Sequence, residues 1–306
     1  MLLSALTGFV VVGFAILVGW ILGKTGVLDA SARGVLAKLV FWVLSPALLF
    51  VVLSQAQVEM LFSSLLPVSA IAALVVIGGY ALVAKLVWRR SAAETLIGAL
   101  SAGQVNANNI GIPLSLYILG SAAYPAPVVL FQLLVLTPVS LSILEASVGG
   151  RFRLSVIWRA LANPIIIGSA LGTVVSVTGV TLPTIVFAPI ELIANACVPV
   201  LLISFGISLN GQRVLGAGGN RREVVYASAL KLVGMPIVAW LTATYAFGLG
   251  PAEVLIVVVL AALPTAQNVF NYSQHFGVGE TVARDTVFIT TVGCIPVLFL
   301  ATVLLG

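Results

Sequence analysis

The chain has 306 residues, 61% of them hydrophobic and 8% charged, and its mean hydropathy is +1.22. Soluble domains carry about 25% charged residues, so 14 basic and 9 acidic side chains cannot coat a globule of this length in water. The composition describes an integral membrane protein and excludes a soluble enzyme, a nucleic-acid binder and a disordered chain.

A membrane-spanning helix takes about 20 mostly apolar residues, and ten segments have that character. The first is Leu3–Leu22, read as a span and not a signal peptide because no basic stretch or small-residue cleavage site accompanies it. Gly34–Leu53, Leu65–Trp88, Thr95–Leu119 and Ala126–Val148 complete the first half. The second half continues with Asn163–Thr178, Ile185–Leu209, Val224–Phe247, Val254–His275 and Arg284–Leu305. These runs are too long and too continuously apolar for an outer-membrane barrel, whose strands alternate over about 10 residues. Arg151 to Arg159, with Phe152, Leu154, Val156, Ile157 and Trp158, reads as a short amphipathic interfacial helix joining the halves. Asn210 to Glu223 reads as a polar loop.

Every basic residue lies in or beside an odd-numbered loop: Lys24, Arg33 and Lys38; Lys85, Arg89 and Arg90; Arg151, Arg153 and Arg159; Arg213, Arg221, Arg222 and Lys231; and Arg284. The even loops and both ends have none. The positive-inside rule places the odd loops in the cytoplasm and both termini outside, in a multi-pass protein of the cell membrane. The net charge of +5 is therefore a topology signal that needs no nucleic-acid partner. Cys197 and Cys294 lie in apolar runs and read as buried thiols. With His275 as the single histidine, no metal cluster and no cofactor is expected.

The halves, 1–150 and 151–306, resemble each other. Thr25-Gly26-Val27 recurs as Thr178-Gly179-Val180, Gly19 as Gly172 and Pro46 as Pro199, each 153 residues on. Ala93-Glu94-Thr95-Leu96-Ile97 recurs as Ala252-Glu253-Val254-Leu255-Ile256, 159 residues on, and in that register Asn109 maps to Asn268 and Gly120 to Gly279. Five spans per half is an odd number, so the second copy sits inverted in the membrane, as in many secondary transporters.

The polar chemistry is concentrated in the fourth and ninth spans. The fourth reads Gly103-Gln104-Val105-Asn106-Ala107-Asn108-Asn109-Ile110-Gly111-Ile112-Pro113, and the ninth Leu263-Pro264-Thr265-Ala266-Gln267-Asn268-Val269-Phe270-Asn271. An unsatisfied amide in hydrocarbon costs several kcal/mol, and proline removes a backbone donor. Two broken helices meeting at the midplane satisfy both conditions. Their freed backbone groups and amides then form a site, with Asn106, Asn108, Asn109, Pro264, Thr265, Gln267 and Asn268 against substrate and Gly103, Gly111 and Pro113 shaping the backbone. Gln104 and Asn271 are the amides expected near a sodium ion, should one be coupled.

With these residues in view, the chain resembles the auxin efflux carrier family, in its bacterial form. The resemblance rests on Lys38-Leu39-Val40-Phe41, Ser45-Pro46-Ala47-Leu48-Leu49-Phe50, and Asn106 followed by Gly111-Ile112-Pro113-Leu114. Asn163-Pro164, Pro199-Val200-Leu201-Leu202 and Ala262-Leu263-Pro264 extend it over the full length. It implies an all-α fold of ten helices in an inverted 5+5 repeat, similar to bile-acid symporters and Na⁺/H⁺ antiporters. Helices 1, 2, 6 and 7 would form a scaffold and 3–5 and 8–10 a transport domain, with helices 4 and 9 crossing at the substrate. It further implies a homodimer through the scaffold and an organic-anion substrate, either a carboxylate or an auxin-like acid. Plant members carry proline on both crossing helices; here Val105 stands at the first position and only Pro264 is present.

Glu145 and Glu191 are read as the carboxylates within spans, and intramembrane acids are functional candidates. Glu145 and Lys231 are the candidates for coupling, with Lys231 about two turns into the eighth span and able to snorkel; Glu191 reads as structural or as part of a dimer interface. The expected function is alternating-access transport of a small organic anion. The alternative is sodium-coupled symport of a neutral or amphipathic solute. A channel is disfavoured because only two spans are rich in amides, and an enzyme because no nucleophile–base pair lies in the spans.

Overall fold

The computed structural model describes residues 2–28, 30–55, 64–148, 162–210 and 220–306, with residues 2–9, 30 and 33 described by backbone alone. The expected interfacial segment 151–159, and 211–219 of the polar loop, lie outside the described residues. Apolar helices stand at all ten expected places. They are α1 (Leu2–Thr25), α2 (Gly34–Ser54), α3 (Leu65–Leu86), α4a (Ala92–Gly103) with α4b (Ala107–Leu119), and α5 (Ala126–Ser147). The second half has α6 (Pro164–Thr178), α7 (Thr184–Ser208), α8 (Arg221–Ala246), α9a (Pro251–Ala262) with α9b (Gln267–Phe276), and α10 (Glu280–Leu305). Six of them (α2, α3, α5, α7, α8 and α10) are long and apolar enough to cross a bilayer in one piece. Shorter apolar helices are Val10–Thr25 within α1, α4b, α6 and α9a.

Prolines set the local geometry of four of these helices. A proline inside a helix lacks the N–H and presses on the carbonyl four residues back. Widened π-type turns at Val40–Leu44, Ala107–Gly111, Gln132–Leu136 and Leu230–Gly234 each contain that carbonyl, of Trp42, Asn109, Leu134 and Leu232, four residues before Pro46, Pro113, Pro138 and Pro236 respectively. The extra residue in the turn opens the ladder where the ring would clash.

The helices pack as two groups. In one, α1 lies on α7 and α6 on α2, with the backbones held close by glycine. A Cβ on Gly206 would fall on the Ile16 carbonyl, one on Gly19 on the Ile203 carbonyl, and one on Gly172 would lie 3.0 Å from Phe50 Cα. Gly19 and Gly172 are the two glycines that match at the 153-residue offset in the sequence. With no water between helices to drive association, this backbone proximity is what holds them together in lipid. In the other group α3, α4a, α8, α9a and α10 surround one another, and Val257, Val259, Leu260 and Ala262 of α9a are all buried there. The helix α4b packs on α1 and α7, and α9b on α10 and α4a.

At the basic end of the second group, Arg90 is a cross-brace between α3, α4a and α8. It donates from Nε to Glu223 at 2.9 Å, from Nη2 to the same carboxylate, and from Nη2 to Asn220 Oδ1 at 2.9 Å. Tyr80, Trp88 and Tyr226 stack beside it with ring centroids 5.7–5.8 Å apart. Ser91 caps α4a, and its hydroxyl and then its backbone N–H hold the Glu94 carboxyl below the usual carboxylate range. Glu223 is 5% exposed, so Arg90→Ala strands a buried charge. After discounting for the partly exposed guanidinium, the expected loss is about 2 kcal/mol, and Arg90→Ala/Glu223→Gln should lose less. Equal melting temperatures for the wild type and Arg90→Ala would overturn this role.

Candidate functional site

The fourth and ninth helices are both interrupted, α4 across 104–106 and α9 across 263–266, and the two interruptions bind each other. Val105 and Thr265 form a single antiparallel bridge. The Asn106 N–H donates to the Pro264 carbonyl at 2.8 Å, and the Ala266 N–H to the Gln104 carbonyl at 2.9 Å. The Thr265 hydroxyl donates to the Ser101 carbonyl at 2.6 Å, while its N–H donates to Thr290 Oγ1 at 3.1 Å. A broken helix in a membrane exposes backbone groups that have no water to turn to. Here each break supplies partners for the other.

The first break needs no proline. Asn106 Oδ1 accepts from the Asn109 N–H at 3.2 Å and so caps α4b, ending one helix and starting the next as an N-cap does. Glycine sits at both shoulders for reasons of space. A Cβ at Gly103 would lie 2.9 Å from the Ala73 carbonyl, and one at Gly111 would lie 2.8 Å from Leu263 Cδ1 of the opposite break.

The amides foreseen in the sequence divide. Asn106 is 4% exposed, and its Nδ2 has no hydrogen-bond partner among the described residues. Asn108 and Asn109 are half-buried, and Asn108 turns towards α2: its Nδ2 donates to Ser45 Oγ at 3.3 Å and to Asn109 Oδ1 at 3.0 Å. Asn108 Oδ1 is left without a partner among the described residues. Gln267 turns towards α7, with Nε2 3.5 Å from Ser208 Oγ. Thr265 is fully buried with its hydroxyl committed to Ser101, and Pro264 and Pro113 are buried. Asn268 is exposed and does not line the pocket described next.

That pocket begins at the second break and runs towards the basic end. Phe205 and Ser208 of α7, Gln267, Phe270 and Asn271 of α9b, and Arg284, Phe288 and Thr291 of α10 line it. Asn271 is thus a pocket residue, whereas Gln104 is 2% exposed at the end of α4a and outside the lining. Arg284, read from the sequence only as a topology marker, donates from Nε to Asp285 Oδ1 at 2.8 Å.

Two carboxylates correct the expectation that Glu145 and Glu191 are the acids within the spans. Asp285 is 1% exposed and Glu223 5%. Asp285 falls inside the expected tenth span and its neighbour is an arginine, a signal legible in the sequence. Glu145 is half-buried, with Oε2 unpartnered among the described residues, and Glu191 is half-buried on α7. Lys231 does not snorkel. It is fully buried, donating to the Ala261 carbonyl at 2.6 Å and lying 3.2 Å from Met235 Sδ. The widened turn at 230–234 carries it, and the carbonyl end of α9a receives it, so its amino group is anchored within the helix group.

A family model described as membrane transport protein matches residues 5–150 and again residues 150–302. A protein of Rhizobium meliloti (strain 1021) named "Putative malonate transporter" is 25% identical over 298 residues, 94% of this chain and 92% of that protein. "Uncharacterized transporter YfdV" of Escherichia coli (strain K12) is 24% identical over 288 residues, 90% of each chain. "Auxin efflux carrier component 1" of Arabidopsis thaliana is 27% identical over 165 residues, which span 52% of this chain and 26% of the plant protein.

Proposed function

The chain belongs to the membrane transport protein family, as a multi-pass plasma-membrane transporter of auxin efflux carrier type and not an enzyme, and from that premise we propose that it carries a small organic anion by alternating access. The carrying observation is the mutual bracing of the two broken helices through Asn106 N–H to Pro264 O and Ala266 N–H to Gln104 O. Such a junction fixes a polar patch at mid-membrane on elements that move as one body. The anion's carboxylate is held at this crossing by Asn106 Nδ2 and Gln267, with Asn108 and Asn109 on the α2 side and Asn268 and Asn271 further along α9b. The crossing of α4 and α9, the inverted 5+5 relation of the halves and external termini belong to this reading.

The packing supports a division into a scaffold of α1, α2, α6 and α7 and a transport body of α3–α5 and α8–α10. Asn108 reaches Ser45 on one scaffold helix and Gln267 reaches Ser208 on another, contacts weak enough to be exchanged during an elevator or rocking step. The pocket between α7 and α9b–α10 supports an opening on the side of the basic loops. The scaffold's outer face would serve a homodimer.

The test is uptake into proteoliposomes containing the purified full-length chain, with radiolabelled malonate, other dicarboxylates and indole-3-acetate as probes. Saturable uptake of at least one carboxylate is expected, and Gln267→Ala should lower it about fivefold, the worth of one amide hydrogen bond. Absence of uptake across the panel, or uptake indifferent to Gln267, would sink the reading.

A further inference from the structure

The two helix ends that meet at the crossing are closed by different chemistry. The carbonyl end of α4a is met at Ser101 by the neutral hydroxyl of Thr265, at 2.6 Å. The carbonyl end of α9a is met at Ala261 by the ammonium of Lys231, also at 2.6 Å. Ala261 lies two residues before the interruption at 263–266. The C-terminal end of a helix carries partial negative charge and favours a cation, and in transporters with broken helices such ends coordinate the coupling ion.

Lys231 has no surface: it is fully buried, with Met235 Sδ as its other neighbour. Among the described residues no carboxylate lies within 4.0 Å of it, whereas Arg90 has two, Glu94 and Glu223, and Arg284 has one. The buried carboxylates on the packed elements pair elsewhere, Glu223 with Arg90 and Asp285 with Arg284, and the ionisable group that faces Lys231 is the Cys294 thiol of α10, which donates to the Thr291 carbonyl. A buried cation without an anion is costly in a membrane, and such a residue marks function. An anion arriving at the crossing offsets that cost by pairing with it through the low-dielectric interior.

Resting on the reading of the crossing as an anion site, we propose that Lys231 is a built-in counter-cation: its ammonium occupies the carbonyl end where a coupling sodium ion would bind, so anion binding needs no co-bound cation. Lys231 acts through the field at the break and is a positioning residue, since it is shut off from the pocket. Its charge attracts the anion, and the same charge repels sodium from that helix end.

The experiment measures melting temperatures of the full-length protein in lipid nanodiscs. A panel of mono-, di- and aromatic carboxylates is titrated in sodium chloride and in choline chloride at equal ionic strength. The wild type is expected to give the same apparent affinity in both salts, and Lys231→Met, which keeps the bulk and loses the charge, to weaken it by about tenfold or more. Sodium-dependent affinity in the wild type, or unchanged affinity in Lys231→Met, overturns the proposal while leaving the anion site standing. If Lys231→Met does not fold, Lys231→Ala is melted with and without methylammonium. Saturable recovery is expected, and its absence overturns the proposal. A wild type that answers no carboxylate in either salt removes the anion site itself, and this inference with it.

Discussion

Asn106→Ala is expected to reduce carboxylate uptake by about thirtyfold, the equivalent of about 2 kcal/mol for a buried amide that orders the break and, on the proposed reading, donates to the anion. The side chain has two separable duties. Its Oδ1 caps α4b through the Asn109 N–H, and its Nδ2 is without a partner among the described residues. Loss of the cap alone costs about 1 kcal/mol of stability, visible as a lower melting temperature. Asn106→Asp keeps an acceptor for the cap and removes the donor, so it should keep more of the stability and still lose the uptake. Wild-type uptake in either variant would show that the donor does not meet the substrate.

The second large effect concerns the packing of α1 on α7. Gly206→Val places a branched side chain where even a Cβ would fall on the Ile16 carbonyl, 2.8 Å from the Trp20 nitrogen and 2.9 Å from Gly19 Cα. These atoms are backbone and cannot rotate away, so α1 and α7 must separate. The expected loss is about 3 kcal/mol or more, enough to leave little folded protein after detergent extraction. Gly13→Val is the control on the partner helix α1, since a Cβ there meets nothing within 4 Å. Gly206→Val melting with Gly13→Val would mean that close backbone contact between α1 and α7 is dispensable.

Several features of the molecule were legible without a structure because they are written in local chemistry. Ten apolar runs become helices because an unpaired backbone group is not tolerated in lipid. Gly103, Asn106, Gly111 and Pro264 foretell interruption because each weakens or redirects a helix by itself, and the interruptions fall at 104–106 and 263–266. Basic residues at alternate loops carry their own topological reading. Even the missing proline at Val105 is compensated locally, by the Asn106 cap.

Which way side chains face was decided only by tertiary structure. In these helices apolar residues occur all round, so the 3.6-residue periodicity that marks a buried face in soluble proteins is faint. Asn268 and Gln267 are adjacent in sequence, yet one is exposed and the other turns to Ser208. Thr265 looked like a ligand-facing hydroxyl, but the opposite helix end claims it. Lys231 looked able to reach the interface, but the widened turn before Pro236 and the carbonyl of Ala261 hold it inside. Glu223 and Arg90 are 133 residues apart and become partners only when α4a and α8 pack. The sequence by itself determined where helices run and where they break, since those depend on backbone satisfaction in a membrane. Only the packing of one break against the other decided which polar groups are consumed in holding the two interruptions together and which are left without a partner among the described residues.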